Sequence, residues 1–264
     1  MSIAATDLVL YRSVNMPTAD TGTSGGAMET TAKGRVTFQD TTNSPGGTGV
    51  GIECKSTSAS DTGNITVTSR NTAGSIVTET KALTGTTFID LTTFTNTERI
   101  LRVVMAANAV GTVTVRVKNG SGTGAVVTQV EAGERGSYLL FYDSATPASS
   151  TLDRYEKIYA KNNHATLNLT NATIAMTADP QTVMEWAFSA SAGDSVAART
   201  TAPSGVTWVT STAATAVPAL SGEIASAGVI AATEAIGIWI KETLSSAGSA
   251  LKSTFTMQII GTST

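Results

Sequence analysis

The segments Ile65-Thr66-Val67-Thr68-Ser69-Arg70 and Ser75-Ile76-Val77-Thr78-Glu79-Thr80 flank the spacer Asn71-Thr72-Ala73-Gly74. In the first, apolar and hydroxyl side chains alternate, so Ile65 and Val67 face one way and Thr66 and Thr68 the other, the period of a half-buried strand. Ile, Val and Thr are β-branched, and such side chains pack well on a pleated surface. A short spacer ending in glycine is an ordinary hairpin connection. The two segments are therefore expected to form an antiparallel hairpin.

The same period recurs on both sides of that hairpin. Val36 and Phe38 alternate with Thr37 and Gln39, and after a Pro45-Gly46-Gly47 break Val50 and Ile52 alternate with Gly51 and Glu53. Further strands are expected over residues 87–91, 99–106, 112–118, 125–130 and 137–142, with Gly-containing turns at 119–122 and 132–134. Beyond a polar, Pro-bearing stretch at 143–150, strand patterns return over 155–160, 166–169, 173–177, 183–188, 206–209, 236–241 and 254–260. Residues 221–235 are Ala-rich, but Gly222 and Gly228 weigh against a helix there. Many short strands at this spacing indicate a sandwich or barrel. The expected fold class is all-β, with two β-sandwich domains of Ig-like or jelly-roll-like kind, residues 35–150 and 151–264, preceded by an extended amino-terminal arm over 1–34. In the arm, Leu8-Val9-Leu10-Tyr11 gives way to Asn15, Pro17, Asp20, Gly22, Gly25 and Gly26. Such residues bury too little apolar area to fix their own path.

The 264 residues are enough for two such domains, each with a core of its own. Lys and Arg number 17 against 20 Asp and Glu, so the formal charge of -3 offers no basic field for nucleic acid. Charged residues are only 14% of the chain and threonine is its commonest residue, while the 41% hydrophobic content still supports a core. No apolar run approaches the roughly 18 residues of a membrane span, and Met1 to Ser13 lacks the basic and apolar regions of a secretory leader.

One Cys and one His exclude an internal disulfide and a Cys and His zinc cage. His164, in Lys161-Asn162-Asn163-His164, has no Gly-x-Ser-x-Gly elbow to serve and reads as a polar turn residue. Cys54 reads as a small, half-buried hydrophobe of a strand. Asp61, Glu79, Asp90, Asp143, Asp153 and Asp179 are scattered and form no calcium loop. No catalytic, cofactor-binding or metal-ligating residue is assigned. The Thr-x-Thr pairs at 66 and 68, 78 and 80, and 112 and 114 read as the solvent face of a sheet, because they lack the fixed period of a solenoid. Among the tryptophans, Trp239 suits a core, whereas Trp208, beside Ala202-Pro203-Ser204-Gly205, suits an exposed platform.

The run from Gly63 to Thr80, continued by Leu83-Thr84-Gly85-Thr86-Thr87, resembles a pattern in virion structural proteins of tailed bacteriophages. So do Glu98-Arg99-Ile100-Leu101-Arg102-Val103-Val104 with Gly111-Thr112-Val113-Thr114-Val115, Tyr155-Glu156-Lys157-Ile158-Tyr159, Thr177-Ala178-Asp179-Pro180 and Glu234-Ala235-Ile236-Gly237-Ile238-Trp239-Ile240-Lys241. The resemblance implies a non-enzymatic virion component with no catalytic residue to carry over. A capsid decoration or cement protein is the expected role, made in the host cytoplasm and bound on the capsid surface. Its partners would be the major capsid protein and further copies of itself, without nucleic acid or membrane. Leu8, Leu10, Tyr11, Met16 and Met28 are the expected contact residues of the arm. Removal of residues 1–30 is then expected to abolish assembly and leave both domains folded. The alternatives are a tail tube or other tail or baseplate subunit, and a glycan-binding surface module using Trp208.

Overall fold

Most of the alternating segments become strands in the computed structural model, which describes residues 2–17, 19–31, 34–37, 50–118, 124–141, 150–179, 183–210, 214–246 and 255–264; the strand expected over 206–209 is instead irregular, with a single bridge from Val209 to Trp186. In chain order the strands are β1 (Leu8–Asn15), β2 (Ser24–Met28), β3 (Gly34–Thr37), β4 (Gly51–Ser56), β5 (Asn64–Asn71), β6 (Ile76–Ala82), β7 (Ile89–Leu91), β8 (Thr97–Met105), β9 (Val113–Lys118), β10 (Val126–Val130) and β11 (Gly136–Leu139). They continue with β12 (Leu152–Asn162), β13 (Leu169–Ala178), β14 (Met184–Phe188), β15 (Ser195–Val196), β16 (Thr215–Ala216), β17 (Val229–Ile230), β18 (Ala235–Leu244) and β19 (Thr256–Ser263). Among the described residues the only helical piece is one 3-10 turn, Ala5–Asp7. The protein is all-β, and the Ala-rich residues 221–235 hold turns and β17 in place of a helix. The expected turn at 119–122, the Pro45-Gly46-Gly47 break and the linker at 143–149 lie outside the described residues.

The chain forms two compact units, Thr30–Leu139 and Met1–Glu29 with Leu140–Thr264. In the first, β3-β11-β8-β5-β6 make one sheet and β10-β9-β4-β7 another. Their inward side chains meet in a core of Ile65, Val67, Val103 and Met105 against Ile52, Cys54, Val113 and Val115. This is a sandwich, and it follows directly from the period of two. The hairpin pairs β5 and β6 in the register Ile65↔Lys81 and Thr68↔Thr78. Its loop is held by Asn71, whose Oδ1 accepts the amides of Ala73 at 3.0 Å and Ser75 at 2.9 Å, while Gly74 takes a φ of 84°. Along β6, Glu79 accepts the amides of Thr92 and Thr93, and Lys81 donates to the Asp90 carbonyl. Such charged side chains turned toward the inside of an outer strand discourage unwanted strand addition.

The second unit contains the sheet β14-β18-β12-β1, with β2 on β1 and β15 on β2, and a sheet of β16-β13-β17 with β19 on β13. Strand β12 is flanked on both sides: it pairs β18 from Leu152↔Leu244 to Lys161↔Ala235, and β1 from Leu8↔Asn162 to Arg12↔Ile158. The amino-terminal segment is therefore an interior strand of this unit, and the expected free arm over 1–34 is corrected. Val9 and Tyr11 alternate inward onto Tyr159, and Ser13 and Ser24 are buried. The boundaries also differ from 34 and 150. The polypeptide starts in one unit, builds the other from Thr30, and returns at Leu140. Gly, Ser and Pro content marks loops locally, whereas a unit is set by which distant strands pair.

Candidate functional site

The five residues expected to contact a partner through an arm are parts of the folded unit. Tyr11 is only 7% exposed, and its hydroxyl accepts from Asn163 Nδ2 at 2.9 Å. Met28 packs half-buried against the cluster of Val9, Tyr11 and Tyr159. Leu8, Leu10 and Met16 are half-buried and lie outside that cluster. The structure thus brings Tyr11 and Met28 together as packing residues.

Strand β12 holds what the sequence reading passed over. Its central residues alternate between two charged faces, Arg154 and Glu156 on one, Lys157 with Tyr155 and Tyr159 on the other. All of these are buried, and charges are rarely buried unless paired. On the first face Arg154 grips Asp20 through two parallel bonds of 2.6 and 2.9 Å, and Arg199 reaches the same carboxylate at 2.8 Å. Arg199 also lies 3.4 Å from Glu156, whose other oxygen accepts the Phe141 amide at 3.0 Å. The Arg154 hydrogen bond holds the Asp20 carboxyl well below its usual range, to about 2, against partial burial and with help from Arg199. The loop between β1 and β2 is fastened by this carboxylate.

On the second face Lys157 is fully buried, with Nζ 2.6 Å from Asp194 Oδ1 and 3.8 Å from Glu223 Oε1. Asp194 Oδ2 accepts the Trp239 indole N–H at 3.1 Å and the Ala190 amide at 3.3 Å. Glu223 accepts the Gly237 amide at 2.7 Å and the Gly193 amide at 3.2 Å. Tyr159 Oη donates to the Gly26 carbonyl at 2.8 Å and stands 3.2 Å from Glu223 Oε1; burial first, and the Glu223 charge second, push its phenol far above the ordinary range. Glycines admit these large groups. A Cβ on Gly237 would lie 2.5 Å from Lys157 Cε, and one on Gly25 would lie 2.5 Å from the Trp239 ring. A third tie joins Lys241 to Glu185 at 2.7 Å and to Asp153 at 3.4 Å. The legible signal was the run Arg154-Tyr155-Glu156-Lys157 inside a strand pattern; its partners come from distant loops.

The other singled-out residues have structural roles. His164 follows β12 and its Nδ1 accepts the amides of Thr166 and Leu167, at 3.2 and 3.0 Å, which closes a turn. Cys54 is fully buried, and that burial drives its thiol far above the usual range, so it is not a poised nucleophile. Trp186 and Trp239 are fully buried, and Trp208 packs half-buried with its ring 5.5 Å from that of Tyr155. Asp61 accepts the Ser56 hydroxyl and the amides of Val110 and Gly111; burial raises its carboxyl, and these three donors more than reverse that. Among the described residues no three His, Cys, Asp or Glu side chains converge as metal ligands.

Outward from the first unit faces a ribbon of hydroxyls. Thr66 and Thr80 meet at 2.8 Å across the hairpin and Thr68 and Thr78 at 3.1 Å, with Ile76 half exposed at the end of β6. Among the described residues β6 pairs only with β5, so its other side is a sheet edge.

No protein-family model and no curated protein matches the chain. Among solved structures it is similar to the crystal structure of the infectious bursal disease virus VP2 subviral particle, at 8% identity and a TM-score of 0.16, over the whole of this chain and 68% of that one. A likeness of that size carries no argument about fold or function.

Proposed function

We propose that the protein is a non-enzymatic structural subunit of a tailed-bacteriophage virion, a capsid decoration or cement protein that binds the major capsid protein and further copies of itself and so ties neighbouring capsomers together. The observation that carries this reading is the β5–β6 ribbon. The segment whose sequence resembles virion proteins forms an outward threonine surface that ends in a sheet edge and the exposed Ile76. Paired hydroxyls can donate and accept without the desolvation cost of ions. A single such contact is weak, and repetition of it over a lattice makes attachment firm. Part of the chain's small charge complement is turned inward, in the ion pairs of Arg154 and Arg199 with Asp20, Arg199 with Glu156 and Lys157 with Asp194, and stiffens the subunit itself. Attachment through the units replaces the arm as the bridging device.

Cryo-electron microscopy of the virions that contain the chain tests the reading. Density repeated over the icosahedral shell is the expected result; stacked rings in the tail, or absence from the particle, would overturn it. The ribbon is tested separately with Ile76→Lys in the full-length protein, which is expected to stay folded because the side chain is exposed and to lose capsid binding at least tenfold. Unchanged binding of a folded variant would remove the ribbon from the interface.

A further inference from the structure

The surroundings of Lys157 hold every group that condensation of an amine with a carboxylic acid needs. We infer that Lys157 and Asp194 join through an isopeptide bond, formed inside the folded unit with Glu223 transferring the protons. The inference goes beyond the virion reading and does not depend on it.

The reacting groups are already in contact, with Lys157 Nζ 2.6 Å from Asp194 Oδ1. Two groups held at that distance react as if at very high concentration, because the entropy of bringing them together has been met by folding. Movement of one proton across the contact converts ammonium and carboxylate into amine and carboxylic acid. That neutral pair, with a free lone pair on nitrogen and a protonated carboxyl, is the form able to react. The rings of Tyr159 and Trp239 stand 4.8 and 5.9 Å from Nζ and help keep water from the site.

The remaining atoms are placed for the addition step. When Nζ attacks Cγ of Asp194, negative charge develops on Oδ2. That oxygen faces two donors, the Trp239 indole at 3.1 Å and the Ala190 amide at 3.3 Å. Glu223 Oε1, 3.8 Å from Nζ, takes a proton from the attacking nitrogen and returns it to the departing oxygen. Tyr159 Oη, 2.8 Å from the Gly26 carbonyl and 3.2 Å from Glu223 Oε1, donates its one hydroxyl proton to these acceptor oxygens and so helps hold the Glu223 carboxylate beside Nζ. The Nζ–Cγ bond forms and the Cγ–Oδ1 bond breaks. Two ammonium hydrogens leave with Oδ1 as one water, and no oxidant, reductant or activating group is required. The product ties β12, flanked by strands on both sides, to the loop before β15, across 37 residues of chain.

The test is the intact mass of the full-length protein, unfolded after purification, together with a peptide map. The expected mass is lower than the sequence mass by one water, with a branched peptide that contains both Lys157 and Asp194 and no tryptic cleavage after Lys157. Glu223→Gln keeps the side-chain shape and is expected to show the full sequence mass, as is Lys157→Arg. A wild-type protein of full mass would overturn the bond. So would a missing water that maps to a linear peptide and is released by hydroxylamine, since that marks ring closure of Asp194 onto the Ser195 nitrogen. Should Glu223→Gln fail to fold, the branched wild-type peptide decides the bond by itself; a folded Glu223→Gln protein that still carries the branch would overturn the role of Glu223.

Discussion

Asp20 shows how one side chain holds a segment that composition alone would leave loose. It receives Arg154 and Arg199 at 2.6 to 2.9 Å, and both guanidinium groups are buried. Its carboxyl is lowered from 3.8 to about 2 in the folded protein, chiefly by the Arg154 hydrogen bond. The folded state therefore binds fewer protons than the unfolded state between those values. The stabilisation is complete above pH 3.8 and is lost as pH falls toward 2. Asp20→Asn is expected to abolish this acid-dependent component and to lower stability near neutrality by about 2 kcal/mol, between the values for exposed and buried pairs. Denaturant titrations of both proteins at pH 7 and pH 3 check it: equal stabilities at pH 7 would show that the carboxylate is dispensable. Asp61 acts in the same sense in the other unit, where its carboxyl is also lowered.

Strand β1 is the element whose role changed most between expectation and structure. It supplies the second neighbour of β12 over Leu8 to Arg12, β2 builds on it, and β15 builds on β2. Removal of residues 1–30 therefore takes away two strands together with Asp20, and leaves Arg154 and Arg199 buried without that carboxylate. The expected outcome is an unfolded, protease-sensitive unit over Leu140–Thr264, while Thr30–Leu139, with its own core, keeps a cooperative thermal transition. Limited proteolysis with mass identification of the fragments separates the two. A protease-resistant fragment over 140–264 would show that β1 is ornamental, as an arm would be.

The whole molecule is two β units woven from one chain, with hydroxyls outward on the hairpin and ion pairs inward on β12. That distribution has a consequence for assembly under the proposed function. Attachment through a charged surface weakens steeply with ionic strength, because exposed charges are screened over about 10 Å at 0.1 M salt. Attachment through the threonine ribbon is expected to change less than about threefold between 0.05 and 0.5 M salt, the range over which that screening tightens. Sedimentation of capsids with added protein across that range measures it, and a loss of tenfold or more would point to a charged interface elsewhere on the molecule.

Period-two alternation is a local property, and it was enough to determine the all-β class, the β5–β6 hairpin, the solvent face of the Thr-x-Thr pairs in that hairpin and the core position of Trp239, whereas Cys54, expected half-buried, is fully buried. It states which side chains share a face and is silent on which strand lies alongside. The partner of β1, the division of the chain at Glu29 and Leu140, and the burial of Arg154, Glu156 and Lys157 were decided by tertiary structure. A charged residue in a strand reads as solvated until its counter-charge is known, and here the counter-charges arrive on loops at Asp20, Asp194, Arg199 and Glu223. Strand pairing and ion pairing both depend on two partners at once, and the second partner is chosen only when the chain folds back on itself.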